Sequence, residues 1–334
     1  MDTPKPILIT GATGNQGSAV IAALHAEDAS RSEKKFLLLA VTRNVSSPAA
    51  QKLEQKYPGL KLVQGDLNAI PEIFTQAEKV LEQANHGTTK IWGVYSVQIS
   101  MGTGVTFDSE IAQGTGLIDE SITRGVQHLV YSSVDRGGDK VSWDAETPIP
   151  HFQSKHRIEH HLRDTAGAKG GKMSWTVLRP VAFMENLLPG MPTKVFLAAM
   201  RDTMGEKPNE WVSVVDIGRF AQKAFTAPTD PRYFCTAIGI AGARLTFAEL
   251  DATFKKATGS GAPATYWVFG SVLMRLVKEV NLMLTWFATD GYGVDVEDLN
   301  GKEGVMDFET WLRERSAFVE RVRGADTRRR FMVM

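Results

Sequence analysis

The apolar run Ile7-Leu-Ile-Thr10 breaks directly into Gly11-Ala12-Thr13-Gly14-Asn15-Gln16-Gly17, and a helical pattern (Val20, Ile21, Leu24) follows at once. A strand that runs through regularly spaced glycines into a helix is the opening of a βαβ unit that binds a dinucleotide. Gly11 permits the tight turn, Gly14 lets backbone approach a pyrophosphate, and Gly17 lets the helix pack closely on the sheet. The helix N-terminus adds free N–H groups and a partial positive charge for the phosphates.

The rest of the chain supports this opening. Buried-strand runs recur at Phe36–Val41, Leu60–Val63, Ile91–Val97, His128–Ser133 and Trp175–Leu178, separated by helical stretches such as Pro71–Ala84 and Ser109–Arg124. Continuous apolar strands are buried on both faces, which means a parallel sheet between two helix layers. The expected fold class is α/β: a Rossmann-type doubly wound parallel sheet over residues 1–188, with a smaller mixed α/β C-terminal lobe over 189–334. The break is Pro189-Gly-Met-Pro192, after which the rhythm changes. Val212–Arg219 reads as a strand running into a helix, 244–258 and 266–288 read as helical, and Phe308–Phe318 as the last helix. These elements are too few for an independent sheet domain. The tail from about 320, with basic clusters Arg321-Val-Arg323 and Arg328-Arg-Arg330, reads as mobile.

Charge and composition exclude several functions. Lys+Arg and Asp+Glu are both 38 and the net charge is zero. No global field holds nucleic acid or an anionic membrane, and no helix-turn-helix pattern is present. Direct DNA binding is therefore not expected. The most apolar late segment, Trp267–Ala288, is broken by Arg275, Lys278 and Glu279, so it reads as an amphipathic helix and not a membrane span. The N-terminal apolar run is too short for a signal peptide. The single cysteine, Cys235, sits in the β-like run Tyr233-Phe-Cys-Thr-Ala and reads as a packed thiol. One cysteine forms no intrachain disulfide, which fits a reducing, cytoplasmic compartment. The oligomeric state is left open.

The end of the second strand selects the nucleotide. An acidic residue there favours NAD; Thr42-Arg43-Asn44 stands there instead, and Arg43 can pair with a 2′-phosphate. NADP is the expected cofactor. After the third strand comes Gly65-Asp66-Leu67, placed to touch adenine, with Asp66 equally suited to be a turn residue or helix cap.

The motifs GATGNQG, VTRN, QGDL and Phe183-Met-Glu-Asn-Leu-Leu188 together resemble the NmrA-like family of atypical short-chain dehydrogenases/reductases. The region Trp286-Phe…Gly291-Tyr…Asp307-Phe-Glu-Thr-Trp311-Leu resembles its fungal members. The resemblance implies NADP contacts at Gly11, Ala12, Thr13, Gly14, Asn15, Gln16 and Gly17, then at Arg43, Asp66, Leu67, Val97, Gln98 and Lys155. It adds Phe183, Met184, Glu185 and Asn186. It also implies one of two functions. One is an oxidoreductase of a small hydrophobic carbonyl, enone or alcohol in fungal secondary metabolism. The other is a redox sensor that acts on transcription through a regulatory protein partner.

The segment His151-Phe-Gln-Ser-Lys155-His-Arg-Ile-Glu159-His160 carries two incompatible patterns. His156-x-x-Glu159-His160 is a zinc-peptidase signature, but a catalytic zinc needs a third protein ligand and nothing marks one. No metal is expected. His151-x-x-x-Lys155 stands where short-chain reductases carry tyrosine and lysine. By that resemblance Lys155 binds the nicotinamide ribose and Ser133, or its neighbour Ser132, orients the substrate oxygen. His151 replaces the proton-donating tyrosine or packs beside the cofactor; an imidazole titrating near ~6.5 is a different acid from a phenol.

Overall fold

The computed structural model describes residues 3–30, 34–100, 102 and 104–319. The basic tail clusters lie outside them. The chain divides into two compact units that interleave along the sequence. Unit 1 holds Met1–Val134, Pro150–Arg179 and Ile217–Ile238; unit 2 holds Asp135–Ile149, Pro180–Asp216 and Gly239–Met334.

In unit 1 strand and helix alternate: β1 (Lys5–Ile9), α1 (Asn15–Ala29), β2 (Phe36–Thr42), α2 (Pro48–Lys56), β3 (Lys61–Gln64), α3 (Ile70–Gln83), β4 (Gly93–Ser96), α4 (Phe107–Thr123), β5 (His128–Ser132), α5 (Pro150–Ala166) and β6 (Ser174–Pro180). The sheet runs β3-β2-β1-β4-β5-β6, with parallel pairing between each of these neighbours, and a seventh strand adjoins β6. The order reverses direction between β1 and β4, and that crevice is where doubly wound sheets take ligands. Every residue of β4 and β5 is buried, which is why these strands read as unbroken apolar runs. Local signals set the helix starts. Thr106 and Ser109 form a reciprocal capping box on α4, Ser47 caps α2, and Pro150 opens α5.

The chain continues through β7 (Ala182–Phe183), α6 (Met191–Met204), β8 (Asn209–Val212), α7 (Val214–Thr226), β9 (Thr236–Ile240), β10 (Ala243–Leu245), α8 (Phe247–Thr258), α9 (Trp267–Leu276), α10 (Lys278–Thr289), α11 (Val296–Glu303) and α12 (Phe308–Glu314). β9 is the seventh strand of the large sheet. Unit 2 carries its own three-stranded sheet, β10-β8-β7, antiparallel on one side of β8 and parallel on the other. Its core is aromatic: Phe308 lies 5.7 Å from Trp211, 5.9 Å from Phe254 and 5.5 Å from Trp311 between ring centroids.

Three elements differ from the sequence expectation. Residues 243–245 are a strand, and the helix starts only at Phe247, after the N-cap Thr246, which forms a capping box with Glu249. The 266–288 stretch is two helices broken at Val277. Cys235 is half-buried, not sheet core; it adopts φ +51° just before β9, and burial pushes its thiol up.

Candidate functional site

The glycine loop has the geometry its spacing requires. Gly11 sits at φ +58°, where a Cβ would also lie 2.8 Å from Val97 Cγ1. A Cβ on Gly17 would lie 2.3 Å from the Gly11 carbonyl oxygen, so only glycine lets α1 start this close to the turn. α1 is capped by the Gly14 backbone, without a side-chain cap and without an acidic residue in its first turn. Thr13, Gly14 and Asn15 are exposed. The result is an open helix N-terminus that accepts an anion. Ala12 is buried, and Gln16 turns inward: its Oε1 accepts from Ser132 Oγ at 2.5 Å and from Tyr95 Oη at 3.2 Å. Burial holds the Tyr95 phenol well above its usual range, opposed by its hydrogen bond with Ser132.

Beyond β2, Arg43 is exposed and no carboxylate reaches its guanidinium among the described residues. Asp66 is also exposed; its Oδ1 accepts from Asn68 N at 2.8 Å, so it makes the turn before α3, with Leu67 half-buried beside it. At the end of β4, Thr10 Oγ1 donates to Tyr95 O and Val97 O, and Val97 N donates back to it, which locks β1 to β4 at the crevice. Gln98 follows, 5% exposed. Its amide nitrogen donates to Ser96 Oγ, and its Oε1 has no partner. An orphaned buried acceptor here is a place for a ligand's donor.

Ser132 and Ser133 end up on opposite faces of the sheet, as the pleat dictates. Ser132 faces Gln16. Ser133 donates to Glu159 Oε1, and Glu159 is held by Arg179 at 2.7 Å in a pair with no exposed side-chain surface. The central glutamate of the H-x-x-E-H pattern is thus a buried counter-ion. The His156 and His160 rings lie 4.4 Å apart, tilted by 53°, His160 Nδ1 meets Arg163, and among the described residues no cluster suited to a metal ion exists.

His151 is half-buried in the first turn of α5, edge-on to Phe152 at 4.8 Å. One turn on, Lys155 Nζ donates to Glu110 Oε1 at 3.0 Å. Nothing in the sequence marks Glu110 among the four acidic residues of α4. The segment Phe183–Asn186 lies in unit 2. There Met184 is fully buried, and Glu185 accepts from Ser213 Oγ at 2.7 Å, Val214 N at 3.0 Å and Trp311 Nε1 at 3.1 Å. Phe183 is half-buried and Asn186 exposed.

Residues 3–311 match the model of the NmrA-like family. The chain belongs to that family. It is 28% identical over 283 residues to the NmrA-like oxidoreductase malD of Malbranchea aurantiaca, covering 78% of this chain and 76% of that protein. It is 29% identical over 189 residues to the NmrA-like oxidoreductase ptmS of Penicillium ochrochloron, covering 56% of this chain and 49% of that protein, about half its length. Among solved structures, NmrA, described as a negative transcriptional regulator and solved in complex with NADP, superposes with a TM-score of 0.67 at 18% identity, covering 97% of this chain and 98% of that one. At that identity the likeness is one of fold. No helix among the described residues is long and apolar enough to cross a membrane.

Proposed function

We propose that the chain is an NADP(H)-dependent oxidoreductase acting on a small hydrophobic carbonyl or alcohol, as in fungal secondary metabolism. The observation that carries the cofactor reading is the uncapped N-terminus of α1 behind its glycine turn, with the unengaged Arg43 guanidinium at the end of the neighbouring strand. Gly11 through Gly17 would hold the pyrophosphate and Arg43 the 2′-phosphate. Asp66 and Leu67 would border adenine, and Val97 with the orphaned Gln98 acceptor the nicotinamide end. Lys155 would take the ribose, with Phe183 through Asn186 as a further contact. When bound, NADPH would supply a hydride to a carbonyl, and NADP⁺ would take one from an alcohol.

The protein's own part is to orient the substrate oxygen and move a proton. His151, one turn before Lys155, is the proton carrier in this reading. Ser133 commits its hydrogen to Glu159. Trp267 and Phe269 of unit 2 are exposed, whereas Trp286 and Phe287 are buried against Tyr292. The relatives named as oxidoreductases support this reading.

One observation favours a second reading, a non-catalytic redox sensor working through a protein partner. Both serine hydroxyls are committed inside the protein, and histidine stands at the tyrosine position. Steady-state NADPH consumption with a panel of small hydrophobic ketones and enones, and NADP⁺ reduction with the matching alcohols, separates the two. Turnover that disappears in Lys155→Met and falls in His151→Ala supports the enzyme. A protein that binds NADP(H) tightly and turns over nothing in the panel is the sensor.

A further inference from the structure

Glu110 is 1% exposed and lies in the first turn of α4, where the helix dipole favours its negative charge. Its Oε1 accepts from Lys155 Nζ at 3.0 Å and from Ser100 Oγ at 2.7 Å; its Oε2 accepts from Ser154 Oγ at 2.5 Å. Ser154 and Lys155 are neighbours on α5, and Ser100 stands two residues after Gln98 in the loop that follows β4. One sealed carboxylate therefore ties together α4, α5 and the loop at the end of the fourth strand.

A helix staple is the simplest use of such a pair. The two helices do not need it to meet, however. One turn further along the same interface, a Cβ on Gly114 would lie 2.5 Å from Ile158 Cδ1, so glycine already lets α4 and α5 close up. What the ion pair adds is the position of a charge. A lysine ammonium rides on a flexible four-carbon stem. Glu110 holds it in one place and uses one of its N–H donors, which leaves the others for a ligand. The Lys155 side chain keeps 11% of its surface against 1% for Glu110, so the ammonium is the outward member of the pair.

We infer that Glu110 is the positioning residue for Lys155. It fixes the ammonium where the nicotinamide ribose is taken, and through Ser100 it ties the loop after Val97 and Gln98 to the same point. The inference rests on the NADP(H) reading above.

The test uses Glu110→Gln, which keeps an oxygen for Lys155 and loses the charge and the second acceptor. Calorimetric Kd values for NADP⁺ and NAD⁺ are measured on the full chain for the native protein, Glu110→Gln, Lys155→Met and the double variant. Glu110→Gln is expected to weaken both dinucleotides alike, by about tenfold (~1.4 kcal/mol), because the ribose is common to both. The double variant is expected to match Lys155→Met within about a factor of two, since a residue that acts through another adds nothing once that other is gone. A folded Glu110→Gln protein with native Kd, or one that loses as much affinity without Lys155 as with it, overturns the inference and leaves a helix staple. If Glu110→Gln does not fold, Ser100→Ala removes one hydrogen bond and keeps the charges. It is expected to weaken binding about two- to threefold, only when Lys155 is present; native binding by that variant overturns the inference. A native protein that binds no NADP⁺ fails earlier, and the NADP(H) reading fails with it.

Discussion

In unit 1 the buried carboxylates Glu110 and Glu159 sit against cations, whereas in unit 2 the buried carboxylates Asp135 and Glu210 accept from backbone N–H groups. In unit 1 Glu110 meets Lys155 and Glu159 meets Arg179. In unit 2 Asp135, fully buried, accepts from Gly137 N at 3.1 Å, Gly138 N at 3.0 Å and Gly293 N at 2.8 Å. Glu210 accepts from Val294 N at 3.1 Å. Arg244 pairs with Glu210 at only 3.7 Å, with a largely exposed side chain. A cation neutralises a buried carboxylate and places a positive charge where chemistry can use it. Backbone donors instead fasten one loop to another and leave the negative charge only partly compensated. The first arrangement suits a site that binds an anionic cofactor. The second suits a lobe whose irregular segments, 135–149 and 290–295, must be held without regular secondary structure.

Removing the cation should have the largest effect. Arg179→Met strands Glu159 as an uncompensated buried charge and should cost about 3–5 kcal/mol in denaturant unfolding. A loss under about 1 kcal/mol would mean the pair is not needed for stability, and the contrast between the units would collapse. Asp135→Asn removes the charge from a cradle of backbone donors and keeps one acceptor oxygen. It should cost about 1–3 kcal/mol, chiefly through unsatisfied N–H groups. A larger loss than Arg179→Met would invert the comparison.

The third effect is smaller and depends on pH. Burial pushes the Glu210 carboxyl up to about 7 from its usual 4.5, opposed by Val294 N and assisted by Asp135. Its folded value lies above its unfolded one, so its stabilising contribution is complete below 4.5 and is lost as pH rises through about 7. Glu210→Gln should therefore gain stability over the native protein at pH ~8, on the order of 1 kcal/mol, and show little gain at pH ~4. A gain independent of pH would show that Glu210 is not titrating in the fold. Unit 1 supplies the opposite arm. Burial lowers His128 to about 3 from 6.5, so its contribution is lost as pH falls below 6.5. His128→Asn should flatten the acid limb of the Tm profile; an unchanged limb would place acid sensitivity elsewhere.

The same contrast explains what was legible in the sequence. Gly11, Gly17, Arg43 and Lys155 sit at fixed spacings from strand ends, and the strands announce themselves as apolar runs. Glu110 lies 45 residues from Lys155, and one acid among the four of an amphipathic helix looks like any solvated one. Ser132 and Ser133 look interchangeable in sequence; the pleat sends one to Gln16 and the other to Glu159. Unit 2 is the less legible part. A strand as short as Ala243–Leu245 has no period to read, and cradles such as Gly137, Gly138 and Gly293 around Asp135 are made by backbone conformation and close approach. The expected division at 189 follows the change of rhythm along the chain. The compact units follow contacts, and contacts put 135–149 with unit 2 and 217–238 with unit 1.

The central claim is that the carboxyl edge of the unit 1 sheet takes NADP(H) with Arg43 on the 2′-phosphate. The direct measurement is calorimetric titration of the native chain and of Arg43→Ala with NADPH and NADH. The account predicts that the native chain prefers NADPH by at least about tenfold, a difference of ~1.4 kcal/mol, and that Arg43→Ala binds the two alike. Equal affinity of the native chain for NADPH and NADH, or no binding of either, would contradict it.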